Sequence, residues 1–250
     1  MKKLLILCAC ILCIPEIGAQ KTVTFGIRAG VNLSTYSTKN DYISQIPYGN
    51  GIQLEKNMYP GVHIGFIADI RLSRIFYLQP GIYYTTMGTK YKAKIDLQLP
   101  GYSGFLKYHI NGTETQMPQY IQIPVLLSLR TPVNARQDIA WRVNAGPYIS
   151  CGVAGKIGSD YYADIQGKSG YVKEKTNFFQ DGCYRRLDAG LSFGTGFDIR
   201  SFYIGFNFDL GLVNIEDYND MKVDNQTLHT DKGNIETYNR NISIRFGYNF

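Results

Sequence analysis

The chain has 250 residues, of which 44% are hydrophobic and 18% charged, with a formal net charge of +6. So modest a surplus, without an Arg/Lys-rich helix or an aromatic RNA-binding motif, gives no support to nucleic acid as a partner. Three of the five cysteines (Cys8, Cys10 and Cys13) fall in the first stretch of the chain, which excludes a disulfide-stapled miniprotein.

Met1-Lys2-Lys3 is followed by an apolar run from Leu4 to Ile14 and then by the small pair Gly18-Ala19. A basic start, a compact apolar core and small residues predict a signal peptide over residues 1–19, cleaved to leave Gln20. The run is shorter than the roughly 17–25 residues of a spanning helix. Leu7-Cys8-Ala9-Cys10 offers a rival reading, a lipid-modified cysteine with a very short apolar core before it. Cleavage after Ala19 would remove Lys2, Lys3 and Glu16, leaving 24 of the 26 basic and 19 of the 20 acidic residues.

The mature chain then shows eight segments in which apolar residues recur at every second position. Residues 23–34 set Val23, Phe25, Ile27, Ala29, Val31 and Leu33 against Thr24, Gly26, Arg28, Gly30, Asn32 and Ser34. Successive side chains of a strand point to opposite faces, so this period fits a strand and no helix. The same alternation covers residues 61–72, 76–84, 121–130, 141–153, 187–198, 202–211 and 241–250. Each is about as long as the 9–11 residues with which a tilted strand crosses a bilayer. Pro80 and Pro124 each remove a ladder hydrogen bond, and a bulge or bend is expected at both.

The connections alternate in length. Ser73-Arg74, residues 131–139 and Ile199-Arg200 are short, whereas residues 35–60, 89–119, 155–185 and 213–236 are long. Tight turns on one rim and long loops on the other predict an all-β fold. The form expected is an eight-stranded antiparallel transmembrane β-barrel over residues 20–250, with short periplasmic turns and long extracellular loops.

A soluble barrel would show the same period with its apolar face inward. Four features favour lipid outside. The polar face is rich in small residues such as Gly26, Gly30, Gly65, Gly194 and Gly205. None of the eight segments contains a lysine, which a solvent face would carry. Their charges, of both signs, fall mostly on the polar face, where an inward arginine avoids the roughly 2–4 kcal/mol that it costs facing lipid at mid-membrane. Aromatics such as Phe76, Trp141, Tyr248 and Phe250 gather toward the rim with the short turns, as an interfacial girdle does.

These strands are also familiar as sequences. FGIRAGVNLS at residues 25–34, the run at 60–90, YIQIPVLLSLR at 120–130, NAGPYISCG at 144–152, LDAGLSFGTGFDI at 187–199, FDLGLVNI at 208–215 and NRNISIRFGYNF at 239–250 carry the likeness. The chain resembles the outer-membrane β-barrel family of Bacteroidetes, often called PorT-like or porin-family proteins. It departs from that pattern in the third strand, where Gly81-Ile82 stands in a region that often holds a glutamate. The resemblance implies the fold and the cell outer membrane, hence contact with outer-membrane lipids. Its terminal Phe250 is similar to the signal read by the barrel-assembly machinery.

An eight-stranded barrel has room for side chains or one small ligand. The inward set is expected to form a lumen network of Arg28, His63, Asp69, Arg71, Arg142, Asp188, Asp209 and Arg245. The function expected is non-catalytic, a surface-interaction or structural role with a narrow, largely filled lumen. The alternatives are a small-solute channel and a lipid-modifying enzyme. For the enzyme, His63 with Ser150 or Ser192 is the available material, without a G-x-S-x-G elbow. No cofactor is expected, and no metal, since His63, His109 and His229 are far apart in sequence. Tyrosines of the long connections, among them Tyr91, Tyr161, Tyr162 and Tyr171, either meet a protein or glycan partner or stabilise strands that continue beyond the membrane. A monomer is expected. Cys151 and Cys183, on neighbouring strands at similar height, either form a disulfide or remain two thiols.

Overall fold

A computed structural model of the chain describes residues 23–39, 52–101, 104–134, 136, 138–179, 184–216, 221–223, 226–228 and 236–250. The expected signal peptide, Cys183 and His229 lie outside them. The described strands are β1 (Val23–Lys39), β2 (Ile52–Arg71), β3 (Phe76–Thr86), β4 (Thr89–Gly101), β5 (Gly104–Pro132), β6 (Ile139–Ile165), β7 (Lys168–Asn177), β8 (Leu187–Ile199), β9 (Phe202–Gly211), β10 (Met221–Val223), β11 (Gln226–Leu228) and β12 (Glu236–Asn249). β10 and β11 pair only with each other, and the remaining ten form one antiparallel sheet.

That ten-stranded sheet, part of which curls into a ring, corrects the expected eight-stranded barrel with long loops. Through the ring, β1 pairs with β2, β2 with β3, β3 with β5, β5 with β6, β6 with β8, β8 with β9, and β9 with β12, which returns to β1. The two additional strands come from segments read as loops. β4 prolongs the position of β3 between β2 and β5, beyond a break at Met87-Gly88. β7 likewise stands beside the upper half of β6, whose lower half holds β8. The upper parts of β2, β5 and β6 join β4 and β7 in a five-stranded extension past the ring. At the first break Gly88 has φ +156°, and a Cβ there would lie 1.9 Å from the Gln116 carbonyl oxygen, so glycine is required.

No bulge marks either proline, although the ladder is interrupted beside both, between β2 and β3 at Pro80 and between β5 and β6 after Pro124. Pairing resumes in unchanged register past Pro80 and Pro124, and the shift between β5 and β6 lies at Gln119/Tyr120. There β6 fits one extra residue, Val153, between the partners of those two positions, which is a β-bulge.

Within the ring the alternation is that of a lipid-facing sheet. Phe66 is 65% exposed and Phe206 58%, while Arg142 and Asp188 on the other face are fully buried. Apolar residues of every ring strand, from Phe25 on β1 to Phe246 on β12, continue this belt. So large an apolar surface cannot be left to water and marks contact with a membrane.

Above the belt the sense inverts. On the outward face of the extension stand Lys92, Lys94, Lys107, Lys156, Lys173 and Lys175, all exposed, while Ala93, Ile95, Leu97 and Ile110 turn to the inner side. These strand lysines lie outside the eight segments, in the extension, where the outer face has left lipid for water.

Candidate functional site

The ring interior is built from alternate residues of each strand, even-numbered on β1, β5, β6 and β8 and odd-numbered on β2, β3, β9 and β12, and is mostly polar. Close to the short turns, Arg142 on β6 is the hub. Its Nη1 and Nη2 donate to the Asp69 carboxylate at 2.9 and 2.8 Å, and its Nε donates to Asp198 at 2.9 Å. Gln79 also donates to Asp69, at 2.7 Å, and Arg130 reaches Asp198 at 3.2 Å. Arg28 donates to Asn249 at 2.7 Å and lies 4.6 Å from the centre of the Tyr203 ring. A forked guanidinium matches a carboxylate in this bidentate way, which fixes both partners.

Further along, Asp209 accepts from Ser192 and Asn207 at 2.7 Å each and from Asn241 at 3.0 Å. Arg245 stands 3.9 Å from Asp209 and packs 5.0 Å from the centre of the Tyr83 ring. His63 is buried on the inner face, with Gly30 between it and Arg245 in the sheet register. A Cβ on Gly30 would sit 1.9 Å from the Ile244 carbonyl oxygen and 2.8 Å from the His63 ring, so glycine makes room for it. Nearer the extension, Asp188 accepts from Asn239 at 2.9 Å and from Tyr148 at 3.2 Å.

The interior then ends in an apolar cluster of Tyr36, Met87, Tyr120, Phe178, Phe179 and Ile215. Phe178 stacks on Tyr184 at 4.2 Å, and Phe179 meets Tyr120 edge-on at 6.0 Å. Both breaks in the wall feed this cluster, Met87 from the first and the two phenylalanines from the second. Sequence reasoning assigned residues 155–185 to a loop and so missed them. The adjacent pair Phe178-Phe179 in an otherwise polar stretch was the available signal.

Seven of the eight expected network residues line this interior: Arg28, His63, Asp69, Arg142, Asp188, Asp209 and Arg245. Arg71 is the correction. It has the inward parity of Asp69 but lies at the end of β2, exposed, with its Nε donating to the Ser73 carbonyl at 3.2 Å. The serine–histidine arrangement is not assembled. Ser192 donates to Asp209, Ser150 to the Asp188 carbonyl, and both ring nitrogens of His63 are buried without a hydrogen-bond partner among the described residues. His109 faces outward on the extension and contacts Asp96. Among the described residues no three His, Cys, Asp or Glu side chains converge as metal ligands. Cys151 is exposed, and its proposed partner Cys183 lies outside the described residues. Beyond the belt, a 2.7 Å hydrogen bond from Tyr238 and the neighbouring Lys39 hold Glu236 below the ordinary carboxylate range.

Residues 18–217 match the model of a family described as outer membrane protein beta-barrel domain. The chain belongs to that family. It is an outer-membrane protein with an all-β fold and a buried polar interior. No curated protein matches it. Among solved structures it is similar to the attachment invasion locus protein Ail of Yersinia pestis in complex with the heparin analogue sucrose octasulfate, at 11% identity and a TM-score of 0.36, covering 91% of this chain and 99% of that one. It is similar to OprG of Pseudomonas aeruginosa at 14% identity and a TM-score of 0.38, covering 94% and 99%. Neisserial surface protein A matches at 10% identity and a TM-score of 0.31, covering 92% and 100%. Likeness of this order transfers nothing of what those proteins bind.

Proposed function

We propose that the protein is a non-catalytic outer-membrane component with a surface-interaction or structural role, its narrow interior filled by side chains. Within its family we assign it to the PorT-like, porin-family group of Bacteroidetes, on the strand motifs given above. The supporting observation is that the interior is occupied at two levels, by the Arg142–Asp69–Asp198 network and by the cluster around Phe178. The five-stranded extension supplies a rigid surface for a protein or glycan partner on the outer side of the membrane. Phe250 offers the assembly machinery its terminal aromatic, outer-membrane lipids surround the belt, and the chain acts as a monomer.

Conductance tests this reading. Purified protein in planar bilayers is expected to give no long-lived openings above the bare-bilayer background. Reproducible, large, ion-conducting openings would contradict a filled interior and favour the small-solute channel.

A further inference from the structure

We infer that the outward face of the extension binds the phosphate groups of outer-leaflet lipid through Lys90, Lys156 and Lys175. The register sets out the charges level by level. Lys156, opposite Asn177 and Met117, lies three residues beyond the exposed apolar Val153 on the same strand. The adjoining row reads Asn57, Lys90, Thr115, Gly158 and Lys175. Neither row contains a carboxylate.

Acids enter only farther out. In the row Glu55, Lys92, Thr113, Asp160 and Lys173, Asp160 already pairs with Lys173 at 3.5 Å. Two rows beyond it, His109 stands between Asp96 and Asp164. Uncompensated positive charge is thus concentrated where the sheet leaves the apolar belt, at the height of lipid headgroups. A face evolved for solubility alone would intersperse both signs throughout. A soluble polyanion would be served equally by the outer rows. Lys94 and Lys107 have no carboxylate in their own rows there, but taken together Glu55, Asp96, Asp160 and Asp164 offset Lys92, Lys94, Lys107 and Lys173. Lysines in this position extend flexible stems along the boundary and hold their ammonium groups at the polar surface. Each lysine close to an anionic membrane surface contributes on the order of fivefold in affinity.

The inference rests on the proposed direction of the extension, away from the cell, and is independent of conductance. A chain that fails the test below can still be non-conducting. Full-length processed protein in neutral detergent is titrated with lipid A, and retained lipid is counted by native mass spectrometry. Dephosphorylated lipid A, inorganic phosphate and soluble heparin serve as comparison ligands. Wild type is expected to retain lipid A and not its dephosphorylated form. The triple variant Lys90→Gln, Lys156→Gln, Lys175→Gln should lose affinity by roughly 100-fold, and the corresponding triple arginine variant should restore it. A triple variant at Lys94, Lys107 and Lys168, which removes equal charge farther from the belt, should stay within about threefold of wild type. Equal losses in both glutamine triples would overturn the inference, as would equal retention of the dephosphorylated lipid. Displacement by equimolar inorganic phosphate, or stronger binding of heparin than of lipid A, would overturn it as well.

Discussion

Arg142→Ala is expected to destabilise the protein by about 3–5 kcal/mol, because it leaves two buried carboxylates without their main cation. Asp69 would keep only the Gln79 amide at 2.7 Å, and Asp198 would keep Arg130 at 3.2 Å and a long contact to Asn249. Neither replaces a forked, fully buried guanidinium in a region of low effective dielectric. Arg142→Lys should fall between alanine and wild type, since it retains charge but cannot span both acids with planar geometry. The matched control is Arg71→Ala, at an exposed residue outside the network, with an expected change within about 0.5 kcal/mol. Urea unfolding in lipid vesicles, followed by the fluorescence of the single tryptophan, Trp141, reads all three. Equal stability of the two alanine variants would show that the interior network is not what holds the ring strands together.

Phe206→Arg should cost about 2–4 kcal/mol, the penalty for an arginine facing lipid near the middle of a membrane strand. Phe206 is 58% exposed on β9, flanked by Thr195 on β8 and Ile244 on β12. In water, replacing so exposed a phenylalanine would be nearly neutral. Thr113→Arg is the comparison, on the outward side of β5 but within the extension, and should change stability by less than about 0.5 kcal/mol. The same vesicle unfolding measurement applies, and a Phe206→Arg variant as stable as wild type would place that face in water.

These contrasts also mark what could be read from the sequence. The lipid-facing and interior sides of β1, β8, β9 and β12 followed from a period of two, because lipid outside and polar side chains inside impose opposite compositions on alternate residues. The same rule concealed β4 and β7. In Lys90, Lys92 and Lys94 the outward residues are lysine, since that part of the sheet stands in water, so the outward apolar row that marks a membrane strand is missing there. Period survived there while polarity reversed.

Parity gave Arg142 and Asp69 the same side but not each other. They are 73 residues apart, and their bidentate contact depends on strand stagger around the ring, which local sequence does not encode. Arg71 shows the opposite failure, since its parity is inward but it is the last residue of β2, at the exposed rim of the wall. The cluster around Phe178 was illegible for a third reason. Its members come from two wall breaks, from β1 and β5, and from the segment after β9, and no periodicity links them.

The most direct test of the account is a spin-label accessibility scan along β5, in a background with Cys151 and Cys183 replaced by serine. This strand runs through both environments without changing which parity faces out. Labels replacing Ile123, Val125 and Leu127 should be relaxed by oxygen and shielded from a water-soluble nickel chelate, while labels replacing His109, Asn111 and Thr113 should show the reverse. Nickel access at 123, 125 and 127 equal to that at 109, 111 and 113 would contradict a lipid-facing belt beneath a water-facing extension.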